Sequence, residues 1–132
     1  MALKGKIMKN KGIVDSFRNA FKGLFFSFTV ARNLIIDLGF LITVVLGGIF
    51  FKISYTEWLV CLVFIGLVIS LEMVNTAIEE TVDLITNEYN ELAKHAKDVS
   101  AGAVLFSAII AFVVGCIIFL PKVITFIGGL LW

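Results

Sequence analysis

Glu72, Asn75, Glu79 and Asp83 recur within SLEMVNTAIEETVDLIT, the stretch from Ser70 to Thr86, directly after an apolar run from Trp58 to Leu71. On one helix at about 100° per residue, they fall at about 0°, −60°, −20° and +20°. Three carboxylic acids and an amide therefore share a strip about 80° wide. Met73, Val74, Ala77, Ile78, Leu84 and Ile85 take the other side. A solvated face would interleave Lys or Arg for i,i+4 pairing, and this strip holds neither. Acids aligned beside a membrane-grade apolar run face a protein interior, an ion or a cavity.

Two kinds of chemistry suit such a strip. One is phosphoryl transfer, in which acids hold Mg²⁺, Lys neutralises phosphate oxygens and one carboxylate takes the proton of an attacking hydroxyl. The other is passage of ions or protons through a membrane, for which buried acids are the usual equipment. A conductor would need polar groups along its whole path, yet residues 58–71 and 104–120 offer almost none. A non-catalytic membrane protein is thus the alternative. Lys97 and Asp98 stand where a nucleotide phosphate could reach them. The chain has no P-loop and no kinase-type Gly-rich loop, so a phosphotransferase here is not of a soluble class.

The elements that must position this strip are membrane helices. The chain has 132 residues, 60% of them hydrophobic, and a single Pro; its mean hydropathy is +1.04. Those values lie outside the soluble globular range and point to one integral membrane domain. A formal net charge of +1 implies no attraction to nucleic acid. Cys61 and Cys116 sit in apolar runs without CxxC spacing and read as core residues. No apolar run with a cleavage site promptly follows the Lys-rich N-terminus, so no removable signal peptide is expected.

Residues 1–12 read as a basic tail. Over 13–29, Phe17, Ala20, Phe21, Leu24, Phe25 and Phe28 recur at helical spacing opposite Arg18, Asn19 and Lys22, the pattern of an amphipathic helix lying on the membrane surface. A first span is expected over 31–51, interrupted by Asp37. A second follows over 57–86, opening on the interfacial aromatic Trp58. A polar loop over 87–97 contains His95, read as solvated. The third span covers 98–120, with the small residues Ser100, Ala101, Gly102 and Ala103 near its start for close helix approach. Pro121 and Lys122 are expected to end it, leaving an apolar tail over 121–132.

Of the eleven Lys and Arg residues, Lys4, Lys6, Lys9, Lys11, Arg18, Lys22, Arg32, Lys94 and Lys97 precede the first span or lie between the second and third. Only Lys52 and Lys122 fall on the other side. The positive-inside rule then places the N-terminus and the 87–97 loop in the cytoplasm and the C-terminus outside. The acidic strip comes to the cytoplasmic half of the second span, level with Arg32, Asp37, Lys94, Lys97 and Asp98.

The motifs SFRNAFKGL (Ser16–Leu24), ARN (Ala31–Asn33), LEMVNTAIEETVDLI (Leu71–Ile85) and LAKHAKDVSAGAVL (Leu92–Leu105) closely resemble the small prokaryotic diacylglycerol kinase/undecaprenol kinase family. The resemblance covers nearly everything beyond the first dozen residues. The RN after the first helix and the FLPK near the C-terminus resemble the Gram-positive undecaprenol kinase branch. It implies a homotrimer of three-span protomers in the bacterial inner membrane, with active sites shared between neighbours. It also implies a lipid alcohol substrate, undecaprenol before diacylglycerol, with ATP as co-substrate and Mg²⁺ as cofactor. By motif, Glu72 resembles the general base and Glu79 a Mg²⁺ ligand. Asn75 and Asp83 support the site, and Lys97, with Asp98 beside it, meets the ATP phosphates. Glu88 and Glu91 fall near the nucleotide's base or sugar. Arg32, Asn33 and Asp37 stand on the lipid side.

One position departs from the family. The pattern before RN supplies a glutamate that shares Mg²⁺ with the residue matching Glu79, and here it is Ala31. Alanine has no oxygen to offer, so the departure implies a weakened metal site unless Asp37 or water substitutes.

Overall fold

A computed structural model describes residues 12–130, which form four helices: α1 (Ile13–Val30), α2 (Arg32–Phe50), α3 (Tyr55–Ile85) and α4 (Glu91–Leu130). The tail expected over 1–12 falls, but for Gly12, outside the described residues, as do 131 and 132. Three helices are long and apolar enough to cross a membrane: α2 over Asn33–Phe50, α3 and α4. At 1.5 Å per residue, α3 is about 46 Å long and α4 about 60 Å, well beyond the ~30 Å hydrocarbon layer. Both must extend past that layer into the headgroup region or water.

Only Ala31 separates α1 from α2. It is extended (φ −82°, ψ 100°) and its N–H donates to the Ser27 carbonyl at 2.8 Å. Leu34, one turn into α2, has no exposed surface and fixes the corner. The polar face read from the sequence is solvated, with Arg18 and Asp15 paired at 3.6 Å. Phe17, Phe21 and Phe25 are exposed, while Leu24 and Phe28 are half-buried and Ser27 is buried. α1 thus turns Leu24, Ser27 and Phe28 toward α2 and α3, which it contacts, and leaves the other Phe rings outward.

α2 reverses into α3 through a short connection in which Lys52 takes the left-handed conformation (φ 50°). Ser54 then caps α3. Its Oγ accepts from the Glu57 N–H at 3.3 Å, and its N–H donates to Glu57 Oε2 at 2.7 Å. That reciprocal pair satisfies two otherwise orphaned donors. Gly48 allows the reversal to close, because a Cβ there would lie 2.6 Å from Trp58 Cη2. Around this end Ile53, Cys61 and Ile118 are buried against Val44, Phe51, Trp58, Val60, Val114 and Phe119.

α4 packs mainly along α3. It differs from the sequence expectation at both ends. The polar loop expected over 87–97 shrinks to 86–90, because Asn90 Oδ1 accepts from the Leu92 and Ala93 N–H groups (2.9 and 3.2 Å) and starts the helix there. His95 consequently lies on a helix, though exposed. The helix expected to stop at Pro121 runs on to Leu130 with Pro121 inside it. Proline removes one helical donor, and membrane helices accommodate it where neighbouring helices, side chains or a local adjustment of the turn satisfy the freed carbonyl. Lys122 donates to Glu57 Oε1 at 2.6 Å, tying α4 beyond the proline to the first turn of α3.

Candidate functional site

The start of α2, the second half of α3 and the start of α4 meet at the end opposite the aromatic core. The acidic strip on α3 is graded along its length. Glu72 is 5% exposed and Asn75 6%, Glu79 is half-buried and Asp83 is exposed. The inner acids are therefore shielded and the outer ones wet. Thr76, also buried, satisfies its hydroxyl on the Glu72 carbonyl at 3.0 Å.

Glu72 is the most enclosed acid. Its polar neighbours are Asn33 and Asp37, one helical turn apart on α2, and Glu79 on its own helix. Asp37 Oδ2 is buried without a hydrogen-bond partner among the described residues. Acceptor capacity left open at this depth is costly, and a hydroxyl donor or a cation would satisfy it.

A chain of polar contacts links the outer strip to α4. Ser100 Oγ donates to Asn75 Oδ1 at 2.6 Å, and Asn75 Nδ2 donates to Glu79 Oε1 at 3.0 Å. Further out, Lys97 Nζ lies 2.5 Å from Asp83 Oδ1. This cation stands beside the strip, yet comes from another helix, so the strip's own sequence could not show it.

Among the other candidates, Ala31 sits at the α1–α2 corner, half-buried and offering α2 no side-chain cap. Arg32 opens α2, and its side chain lies outside the described residues. Asp98 is exposed beside Lys97 and makes no polar side-chain contact among the described residues. Glu88 lies in the α3–α4 turn and Glu91 opens α4, both exposed and neither joined to the strip. Ser100, read from the sequence only as a small packing residue, proves to be a buried hydrogen-bond donor.

Among the described residues no three His, Cys, Asp or Glu side chains converge to cage a metal. The donor set suits Mg²⁺ all the same. That ion is held by one or two carboxylates and completes its shell with water and substrate phosphates. Glu79 is half-buried and has one oxygen engaged by Asn75. Beyond Glu72, toward the opposite end, the buried positions include Val68, Cys61 and Ser107, whose hydroxyl returns to the Val104 carbonyl of its own helix at 2.8 Å.

A family model for prokaryotic diacylglycerol kinase matches residues 18–119. The undecaprenol kinase of Bacillus subtilis (strain 168) is 42% identical over 107 residues, covering 81% of this chain and 87% of that protein. The diacylglycerol kinase of Synechocystis sp. is 37% identical over 114 residues, 86% of this chain and 65% of that protein. The diacylglycerol kinase of Escherichia coli (strain K12) is 46% identical over 52 residues, 39% of this chain and 43% of that protein.

Proposed function

This chain belongs to the prokaryotic diacylglycerol kinase family, and we propose that it transfers the γ-phosphoryl group of ATP to the hydroxyl of undecaprenol at the cytoplasmic face of a bacterial inner membrane. The carrying observation is the buried Glu72 carboxyl, with Asp37 near it, on a strip that becomes steadily more exposed toward Lys97. Such a gradient suits a reaction between a reactant from the bilayer and one from water.

The lipid hydroxyl enters laterally and donates its proton to Glu72 as its oxygen attacks the γ-phosphorus and ADP leaves. Arg32, Asn33 and Asp37 lie on the side from which the lipid comes. Lys97 draws in the phosphates, and Asp98 lies beside it. Glu79 would hold Mg²⁺, which when bound neutralises charge on the phosphate oxygens. Asn75 fixes one Glu79 oxygen. Enclosure of Glu72 keeps water from competing with the lipid hydroxyl.

Ala31 leaves this site one carboxylate short of the pattern the family resemblance implies, so we infer a kinase with weakened metal binding and lowered turnover. We take the working unit to be a homotrimer with the N-terminus cytoplasmic and the C-terminus outside. Sparse burial supports assembly: α2 and α4 each have 11% of their membrane-spanning window buried within one protomer.

The test is a radiolabelled-phosphate assay on purified protein in lipid, offering undecaprenol and diacylglycerol in parallel. Undecaprenol should be labelled faster. If neither alcohol acquires label, even with Ala31→Glu, the kinase reading fails.

A further inference from the structure

Ser100 belongs to α4, yet its hydroxyl anchors an amide on α3. Asn75 lies between two groups, Ser100 Oγ at 2.6 Å and Glu79 Oε1 at 3.0 Å. An ionised carboxylate only accepts hydrogen bonds, so the Asn75 amine must face Glu79. The amide oxygen then faces Ser100, whose hydroxyl must donate. The row of donors and acceptors can be satisfied in one sense only. Its members at the α3–α4 contact are enclosed, Ser100 being 9% exposed and Asn75 6%, so water cannot readily replace either bond. Ser100 also has a second acceptor, the Lys97 carbonyl at 2.9 Å, to which its single hydrogen can turn when Asn75 is absent.

We propose that Ser100 is a positioning residue that sets the cation preference of the site, by anchoring Asn75 so that Glu79 presents mainly one oxygen. The proposal rests on the kinase reading, in which Glu79 is the cation's carboxylate. With one lone pair of Oε1 taken by Asn75, Glu79 is biased toward meeting a metal through Oε2. A one-oxygen carboxylate suits Mg²⁺, which demands regular octahedral geometry and retains water. Ca²⁺ takes more oxygens and often both from one carboxylate. Because Ala31 supplies no second carboxylate, the aim of this oxygen matters more here than in a site with two acids. Removing the Ser100 hydroxyl takes away the amide's second anchor, loosens its hold on Oε1 and blurs that preference.

The experiment uses the full chain in lipid nanodiscs with a non-hydrolysable ATP analogue, Mn²⁺ as the spectroscopic probe, and Mg²⁺ or Ca²⁺ as competitors. Ser100→Ala should weaken Mn²⁺ binding about fivefold, the equivalent of one ordinary hydrogen bond, and should narrow the gap between Mg²⁺ and Ca²⁺ competition. Ser100→Thr, which keeps the hydroxyl, should stay within about twofold of the parent, a shift below the worth of one such bond. Ser100→Cys, a weak donor of similar size, should fall between and serves as the second variant if Ser100→Ala is unstable. In an Asn75→Ala background, Ser100→Ala should add nothing. Parental Mn²⁺ affinity and competition order in Ser100→Ala, alongside lost binding in Glu79→Ala, would overturn the proposal while leaving the Glu79 assignment standing. Undiminished binding in Glu79→Ala, or no Mn²⁺ site in the parent protein, removes the reading beneath it and the proposal with it.

Discussion

Lys97 Nζ stands 2.5 Å from Asp83 Oδ1, so the ammonium that would meet phosphate is already held by an acid of the strip, the last turn of α3 reaching the second turn of α4. The two side chains are 35% and 61% exposed, and ion pairs this open contribute little because water screens them. An arriving triphosphate, with several charged oxygens, can displace a single carboxylate from the lysine.

The pair therefore ranks its members unequally. Lys97→Ala should raise the KM for ATP by at least about tenfold, since charge-assisted bonds to phosphate are lost outright. Asp83→Asn should change it by less than about fivefold, in line with an exposed pair. Steady-state kinetics at saturating lipid decide the order. An Asp83→Asn effect as large as that of Lys97→Ala would make Asp83 a direct participant in nucleotide binding.

Glu72→Gln keeps the shape and hydrogen-bonding reach of a side chain that is 5% exposed, yet cannot take a proton. Its single-turnover rate should fall by about 10²–10⁴, the usual worth of a general base. Nucleotide affinity, measured by titration of a fluorescent ATP analogue, should stay within about twofold, since that substitution leaves the phosphate contacts intact. Equal losses in both quantities would move Glu72 from proton acceptor to binding residue.

Gly48→Ala tests the opposite end. A new Cβ would lie 2.6 Å from Trp58 Cη2 and 3.0 Å from Ile53 Cδ1, in the corner where α2 meets α3. Overpacking of this kind costs about 1–3 kcal/mol. Thermal unfolding in detergent should shift downward while the KM values for both substrates stay unchanged, because the acids lie at the other end. An unaltered melt would mean that Trp58 swings aside at no cost.

The acidic strip was legible because helical phase alone puts Glu72, Asn75, Glu79 and Asp83 on one face, and their graded burial follows from an apolar helix emerging into a polar layer. Periodicity says which face a residue takes, but not what it meets. Ser100 carries the one hydroxyl in the run Ser100, Ala101, Gly102 and Ala103, yet nothing in the sequence says that it meets Asn75 on another helix. The polarity of Asn87–Lys97 hides the start of α4, which the Asn90 side chain caps. The expected stop at Pro121 applied a rule drawn from helices in water. Here the helix continues, and Lys122 bonds back to Glu57.

Ala31 offers the most direct test of the site. It stands at the α1–α2 corner with extended backbone and gives the first turn of α2 no side-chain cap, while the strip's Glu79 has one oxygen occupied by Asn75. Ala31→Glu would put a carboxylate at that corner, the residue that the motif resemblance implies there. If it joins Glu79 at the metal, charge developing on the transferring group is better stabilised. Kinase activity should then rise by at least about one order of magnitude, roughly 1.4 kcal/mol of transition-state stabilisation. The gain should widen as free Mg²⁺ is lowered, because a second ligand matters most when metal is scarce. A negative charge at a helix N-terminus also stabilises the helix, whatever the metal does. Two controls separate these effects. Ala31→Glu in a Glu79→Ala background should keep any gain in melting temperature and lose the gain in activity, while Ala31→Gln should raise neither appreciably. Should Ala31→Glu leave turnover and Mg²⁺ dependence unchanged, the missing carboxylate is already replaced. Asp37, whose buried Oδ2 has no partner among the described residues, would then be the group to substitute next.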